Sequence, residues 1–308
     1  MTAWPGADTS RLLGEVRGPL QTFGIHTYLT PAYTPARIAA LMAGLHALAE
    51  QGYAINLNID DEVLLQDPNS AYTAPPSTAD FVSFVRKIVA EDGSWLKAVE
   101  ITNEPNLPIP NTSDGANPQI VDDLVKGVVA AKNVARAHRF PVQVGFNYVF
   151  SYDVPNDVAF WTRLKAAATP QFLRDVDWMG LHTYPNYVSL DTPVNATTNY
   201  EEQQGLATGR CWTTWLGLSK RLPIDITEIG YPTYFGSSDY AAQADYYSRV
   251  LGVVDAERAQ YGIRSLYVFV LQDASSSGFG IFDSTGQPKP AERTIASWFA
   301  RAAGDGRG

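Results

Sequence analysis

The sequence predicts an α/β fold, a (β/α)₈ TIM barrel whose first strand is either degenerate or missing, and three observations carry that expectation. Short apolar runs alternate with segments of helical spacing along the chain, the pattern of parallel strands joined by helical crossovers. Neither G-x-G-x-x-G nor G-x-x-x-x-G-K is present, so the ligand signature of an open doubly wound sheet is lacking. Polar and acidic residues gather at the carboxyl ends of nearly all the predicted strands, and in a barrel those ends surround one pocket.

The predicted strands are 23–29, 53–60, 97–103, 142–150, 176–184, 223–231 and 264–272, each rich in Val, Ile, Tyr or Phe. In the same order, their carboxyl ends carry His26 and Tyr28, Asn58 and Asp60, Asn103 and Glu104, Asn147, His182 and Tyr184, Glu228, and Gln272 with Asp273. Helical spacing covers 34–51, 78–91, 118–139, 156–168, 209–221, 238–261 and 290–303. Thr34-Pro35-Ala36 and Ser77-Thr78-Ala79 are helix starts, a capping hydroxyl ahead of apolar periodicity. Residues 10–22 read as a helix, so either Ala3-Trp4 is the remnant of a first strand or that strand is absent here. Residues 185–208, with Asn186, Tyr187 and Tyr200, form the longest connection without evident structure, expected to overhang the cleft and select the substrate.

With 308 residues, the chain suits one barrel or two ordinary domains. No internal repeat, low-complexity tract or charged linker divides it, so 1–308 is expected to be one domain. Hydrophobic residues at 45% and charged residues at 18% exclude disorder and coiled coil. A net charge of -9 with no basic run argues against nucleic acid or anionic lipid as partner. Cys211 is the only cysteine, which excludes an intramolecular disulfide and a cysteine-built zinc site. Residues 1–8 lack the features of a signal peptide and no stretch matches a membrane span. The expectation is a soluble protein, cytoplasmic as written or secreted if its N-terminus was processed. A monomer is expected, or a dimer if a missing strand leaves sheet edges unpaired.

Two glutamates stand out. Glu104 lies in Asn103-Glu104-Pro105-Asn106, where an apolar strand meets a proline-stopped turn, and Glu228 lies in Thr227-Glu228-Ile229-Gly230 at the end of a buried-looking strand. With a first strand allowed for, they fall on the fourth and seventh strands. Gly180-Leu181-His182-Thr183-Tyr184-Pro185 and Gly278-Phe279-Gly280-Ile281-Phe282-Asp283, the latter followed by Gly286-Gln287-Pro288-Lys289-Pro290-Ala291, complete an ordered set of four. On these motifs the chain resembles the clan of retaining glycoside hydrolases with (β/α)₈ barrels and catalytic glutamates on strands four and seven, in its cellulase-like and xylosidase-like branches. The resemblance implies cleavage of β-glycosidic bonds in an oligo- or polysaccharide, with Glu104 as acid/base, Glu228 as nucleophile and Asn103 on the sugar 2-hydroxyl.

The chemistry assigns the same roles. Double displacement needs two carboxyls about 5 to 5.5 Å apart, one ionised and one protonated. Two charges about 5 Å apart at an effective dielectric near 20 repel by roughly 3 kcal/mol, about two pKa units. Mutual repulsion is therefore expected to hold one glutamate protonated near about pH 6. No metal or organic cofactor is implied.

His182 and Tyr184 alternate on one strand and share a face, either on the nucleophile or sugar or as packed barrel residues. Tyr231 lines the cleft or packs. His26 and Tyr28 stand where many clan members place an arginine that orients the nucleophile, and Asn58 with Asp60 where a histidine is frequent. Asp60-Asp61-Glu62 reads as a solvated acidic turn in preference to a cation site. The stretch Phe269-Val270-Leu271-Gln272-Asp273 lacks the tryptophan common beneath the reacting sugar, leaving Gln272 to hydrogen-bond it, and Trp212 is the candidate stacking platform. Two other readings stay open: transglycosylation, and a carbohydrate-binding barrel that has lost activity.

Overall fold

The computed structural model describes residues 1–18, 23–61, 76–186, 193–234, 237–274 and 278–304. Seven strands form one parallel sheet in chain order: β1 (Phe23–Leu29), β2 (Tyr53–Ile59), β3 (Ala98–Ile101), β4 (Gln143–Val149), β5 (Trp178–Thr183), β6 (Ile224–Ile229) and β7 (Ile263–Val268). Around them run α1 (Thr9–Arg17), α2 (Pro35–Glu50), α3 (Thr78–Asp92), α4 (Ile120–His138), α5 (Val154–Ala167), α6 (Pro170–Asp175), α7 (Ala196–Leu216), α8 (Ser237–Tyr261) and α9 (Pro290–Gly304). The fold is a (β/α)₈ TIM barrel lacking one full strand.

Residues at the chain start stand in that strand's place. Thr2 forms a parallel bridge with His26. Its N–H donates to Val268 O at 2.8 Å, its carbonyl accepts from Leu271 N at 2.8 Å, and Ala3 N donates to His26 O at 3.0 Å. Backbone donors and acceptors of β1 and of the β7 end are thus paired across three residues, so these edges are not left bare in the way a missing strand implied. Ala3 belongs to this remnant and Trp4 lies beyond it.

Both expected helix starts hold. Thr34 Oγ1 accepts from Arg37 N at 3.3 Å, with Pro35 opening α2, and Ser77 Oγ accepts from Asp80 N at 3.2 Å ahead of α3. The expected loop 185–208 is corrected from Ala196 onward, because α7 starts there behind an Asn195 and Thr198 capping box. The buried side of α7 includes Thr198, Glu202, Gly205 and Thr213, which carry no apolar period for a sequence to show. Tyr200 is therefore a helix residue, while Glu62 and Tyr187 lie outside the described residues.

The main core lies between strands and helices, with Ile55, Leu57, Phe81, Phe146, Trp161, Leu181 and Ile226 all fully buried. A smaller cluster of Tyr184, Val270 and Phe279, with Phe269 against it, backs the mouth of the barrel. No helix among the described residues is long and apolar enough to cross a membrane.

Candidate active site

After β3 the chain turns through Thr102 (φ 69°) and Glu104 (φ 46°), both in the left-handed region. That conformation costs such residues about 1 kcal/mol or more each. Buried polar contacts hold it in place. Asn103 N donates to Asp114 Oδ2 at 2.6 Å, Glu104 N donates to Asn147 Oδ1 at 2.6 Å, and Asn147 Nδ2 donates to Thr102 O at 3.1 Å. Asp114 Oδ2 also accepts from Asp61 N at 2.9 Å, which ties the turn to the end of β2. The acid/base candidate is thus fixed from two neighbouring strands.

Glu228 arrives on β6 by a different device. Side chains alternate along a strand, yet Thr227 reaches Glu100 inside the barrel while its neighbour Glu228 lines the cleft. Register shifts between Leu181 and His182 on β5 and between Ile226 and Ile229 on β6 break the alternation there.

The Glu228 carboxyl is held on both oxygens: Oε1 accepts the Tyr28 hydroxyl and Oε2 the Tyr184 hydroxyl. His182 Nδ1 stands between the carboxyls, 2.9 Å from Glu104 Oε1 and 3.3 Å from Glu228 Oε1. An oxygen of each glutamate and a nitrogen of His182 lie within 4.8 Å of one another. Burial pushes Glu104 up to about 8. Burial also raises Glu228, with a further push from Glu104, while His182 and the two tyrosine hydroxyls pull it down, leaving it at about 7. Desolvation, more than mutual repulsion, raises both carboxyls, and Glu228 stays the lower of the two because His182 and the tyrosine hydroxyls favour its charged form.

Below this pair the barrel interior is polar. Glu100, fully buried on β3, lies 2.7 Å from His26 Nε2 and accepts from Asn58 Nδ2 at 3.3 Å and Thr227 Oγ1 at 3.0 Å. His26 and Asn58, expected as substrate contacts, are corrected to this interior layer, since neither lines the cleft. Burial lowers the pKa of His26. Glu100 was not expected at all, because an inward glutamate reads in sequence like the wet face of a strand.

The cleft occupies about 810 Å³, within the usual range for a ligand pocket. Of the expected site residues it brings together Glu104, Glu228, Asn103 and Tyr184, with His182 beneath the two carboxyls. Three expected substrate contacts fall elsewhere. Tyr231 stacks on Tyr246 (centroids 5.4 Å, 29°), and Trp212 stacks on Trp161 (5.6 Å, 9°) against the core. Gln272 Nε2 donates to Ser284 O at 3.3 Å, away from the cleft. In their place the cleft has Tyr28, Phe269 and Trp4, the last 43% exposed and stacked on Tyr28 at 5.8 Å. Face parity within β1 points to Tyr28; nothing in the sequence aims Trp4.

The expected solvated turn at Asp60-Asp61 is also corrected, as both residues are buried. Asn117 Nδ2 bridges Asp61 and Asp123, and burial with nearby Asp114 pushes Asp61 up to about 10. Among the described residues, Glu104, His182 and Glu228 are the one His and acidic group close enough to share a cation. Both oxygens of Glu228 accept hydroxyl protons and His182 Nδ1 faces both carboxyls, while His182 Nε2 is buried with no hydrogen-bond partner among the described residues.

No protein-family model and no curated protein matches the chain. Solved structures do. The family 1 β-glucosidase from Thermotoga maritima is 14% identical, with a TM-score of 0.63 over 98% of this chain and 86% of that one. XacCel5A in complex with cellopentaose is 12% identical, with a TM-score of 0.61 over 96% and 90%. A Bifidobacterium dentium β-glucuronidase is 16% identical, with a TM-score of 0.60 over 96% of this chain and 44% of that one. At these identities the likeness is one of fold, the (β/α)₈ barrel.

Proposed function

We propose that the protein is a retaining glycoside hydrolase acting on β-glycosidic bonds, in the cellulase-like and xylosidase-like part of the clan. The observation that carries the proposal is the carboxyl pair itself: oxygens of Glu104 and Glu228 lie within 4.8 Å, at the floor of an aromatic cleft. Such spacing suits double displacement; inversion requires about 6.5 to 9.5 Å, room for a water between the carboxyls.

Glu228, the less raised of the two, attacks the anomeric carbon as a carboxylate. Glu104, with the higher pKa, gives its proton to the departing oxygen. Once the glycosyl ester forms, the charge on Glu228 is consumed. Glu104, now a carboxylate, takes a proton from the water that opens the ester, and both groups return to their starting states. Tyr28 and Tyr184 hold the nucleophile's two oxygens, and His182 faces both carboxyls throughout. Asn103 serves the sugar 2-hydroxyl.

The cleft lining contains Asp60, Asp153, Glu104 and Glu228 but, among the described residues, no lysine or arginine. Residues 62–75, 187–192, 235–236 and 275–277 contain none either. A neutral glycone fits this field, and a uronate does not. An inactive binding barrel was motivated by the missing first strand and by the absent arginine and tryptophan; Tyr28 and Phe269 beside Glu228 in the cleft favour the hydrolase reading over it.

Azide separates the two roles. Glu228→Ala is expected to lose nearly all turnover of an activated β-glycoside and to yield the α-glycosyl azide when azide is added. Glu104→Ala is expected to give the β-glycosyl azide. Retained activity in both variants, or exchanged products, overturns the proposal.

A further inference from the structure

Resting on that reading, we infer that the leaving-group side of the cleft is built for an apolar aglycone, an alkyl or aryl group, rather than for the further sugar units of an oligo- or polysaccharide. The acid/base delivers its proton to the leaving oxygen, so the aglycone lies on the Glu104 side of the scissile bond and the glycone over Glu228. The cleft wall on the Glu104 side comes from two segments, the turn that follows Glu104 and the end of β4 leading into α5. It exposes Leu107, Ile109 and Tyr152.

Ile109 is 45% exposed and Tyr152 is 36% exposed, although both sit on segments pinned by polar contacts. Ser113 Oγ donates to Leu107 O and to Ile109 O, the latter at 3.2 Å, and Ser113 N donates to Ile109 O at 3.1 Å. Asn106 joins this turn to the other segment: its Nδ2 donates to Val149 O and to Asp157 Oδ1, each at 2.9 Å, and its Oδ1 accepts from Val149 N at 3.0 Å. The apolar side chains are thus held at the cleft by a fixed frame, Ile109 exposed there and the Tyr152 ring resting edge-on against Phe150 at 5.2 Å.

Two polar groups of the same wall have other work. Asp153 Oδ1 caps α5 by accepting from Asn156 N at 3.2 Å, and Ser151 Oγ accepts from Asp153 N at 3.3 Å. A sugar in this position would find chiefly the hydroxyls of Thr112 and Tyr152 beside those two groups, whereas a hydrocarbon chain or ring would only have to cover Leu107, Ile109 and the Tyr152 ring.

The test compares methyl and octyl β-glycosides of one sugar, whose leaving oxygens have nearly the same chemistry. A panel of p-nitrophenyl β-glycosides first identifies the sugar. If none is turned over, the hydrolase reading fails and this inference with it. If one is, kcat/KM for the octyl glycoside is expected to exceed that for the methyl glycoside by about tenfold or more. It is also expected to exceed that for the β-linked disaccharide of the same sugar. In Ile109→Ser and in Tyr152→Ser the octyl-to-methyl ratio is expected to fall toward unity. A wild-type ratio near one, a disaccharide preferred over the octyl glycoside, or a ratio unchanged in both variants overturns the inference while leaving glycoside hydrolysis intact.

Discussion

Tyr28 of β1 donates its hydroxyl to Oε1 of Glu228 on β6, a contact between strands 200 residues apart in sequence. Burial and the adjacent carboxylate raise the pKa of Tyr28, so the phenol keeps its proton and acts as a fixed donor. With the Tyr184 hydroxyl on Oε2, it orients the Glu228 carboxyl, the proposed nucleophile, and stabilises its charged form. Both tyrosines are neutral, so neither adds a charge of its own beside the carboxylate.

Tyr28→Phe removes one hydrogen bond to an ionised group, an interaction of about 1.5 to 3 kcal/mol. In the proposed reaction kcat/KM is expected to fall by roughly 10- to 100-fold. Losing a donor to the charged form raises the Glu228 pKa, so the acidic limb of the pH profile is expected to move to higher pH. Steady-state kinetics across pH reads both effects. A drop in rate with an unmoved acidic limb would assign Tyr28 to packing alone.

The two carboxyls also set the shape of that profile. Activity needs Glu228 ionised, so kcat/KM is expected to fall as pH drops below about 7. It needs Glu104 protonated, so kcat/KM is expected to fall again as pH rises above about 8. The bell is therefore narrow and centred slightly above neutrality. Glu104→Gln should abolish the alkaline limb along with most of the activity, and an optimum near pH 5 would contradict the burial of both groups.

The same shifts bear on stability, with a sign that follows from linkage. For Glu104 the folded pKa of about 8 lies above its ordinary 4.5, so between these values the native state binds more protons than the unfolded chain. Stability is then lost as pH rises through this window. Glu104→Gln, which holds no titrating charge, is expected to melt several degrees above the wild type at pH 8, and the gain should vanish toward pH 4. Glu228→Gln is expected to show the same trend over a narrower window ending at about 7. Calorimetry at the two pH values decides it, and a variant melting lower at pH 8 would count against the buried, costly carboxylates.

How far the sequence reached follows from where apolar pattern and burial agree. The strands and most helices were legible because their outer faces pack on one core: Ile55 and Leu57, or Val144 and Phe146, alternate with inward residues and repeat the period of two. Glu104 and Glu228 were legible as acids that end apolar runs. The middle of the barrel was not. Its inward positions carry His26, Asn58, Glu100 and Thr227, which are buried around the Glu100 carboxyl but read as residues facing water. The first half of α7 was missed because Gly205 and Gly209, packed on Phe150 and Leu181, replace the aliphatic stripe of an amphipathic helix. Trp212 lies in the expected helix 209–221, but periodicity there does not show that its ring faces Trp161. Three residues at the chain start carry no periodicity, so Trp4 gave no sign that it ends at the cleft.

The buried glutamate explains one glycine and supplies a test of the interior layer. Gly180 on β5 faces Glu100, and a methyl group added to it would overlap Glu100 Oε1 while meeting Thr227 Oγ1 at 2.7 Å and Asn147 Cβ at 2.8 Å. None of these atoms has room to retreat, because Thr227 and Asn147 hold Glu100 and the Glu104 turn in place. Overpacking of this kind costs about 3 kcal/mol, so Gly180→Ala is expected to lower the urea midpoint with no change in m-value. The loss should couple to its neighbour. Glu100→Ala alone strands His26 Nε2 and the Asn58 amide, and it is expected to destabilise as well. It also makes room for the methyl group, so the double variant is expected to lose less than the sum of the two single losses. Strict additivity in that cycle would mean that the alanine is accommodated some other way, and that contact with Glu100 is not what reserves this position for glycine.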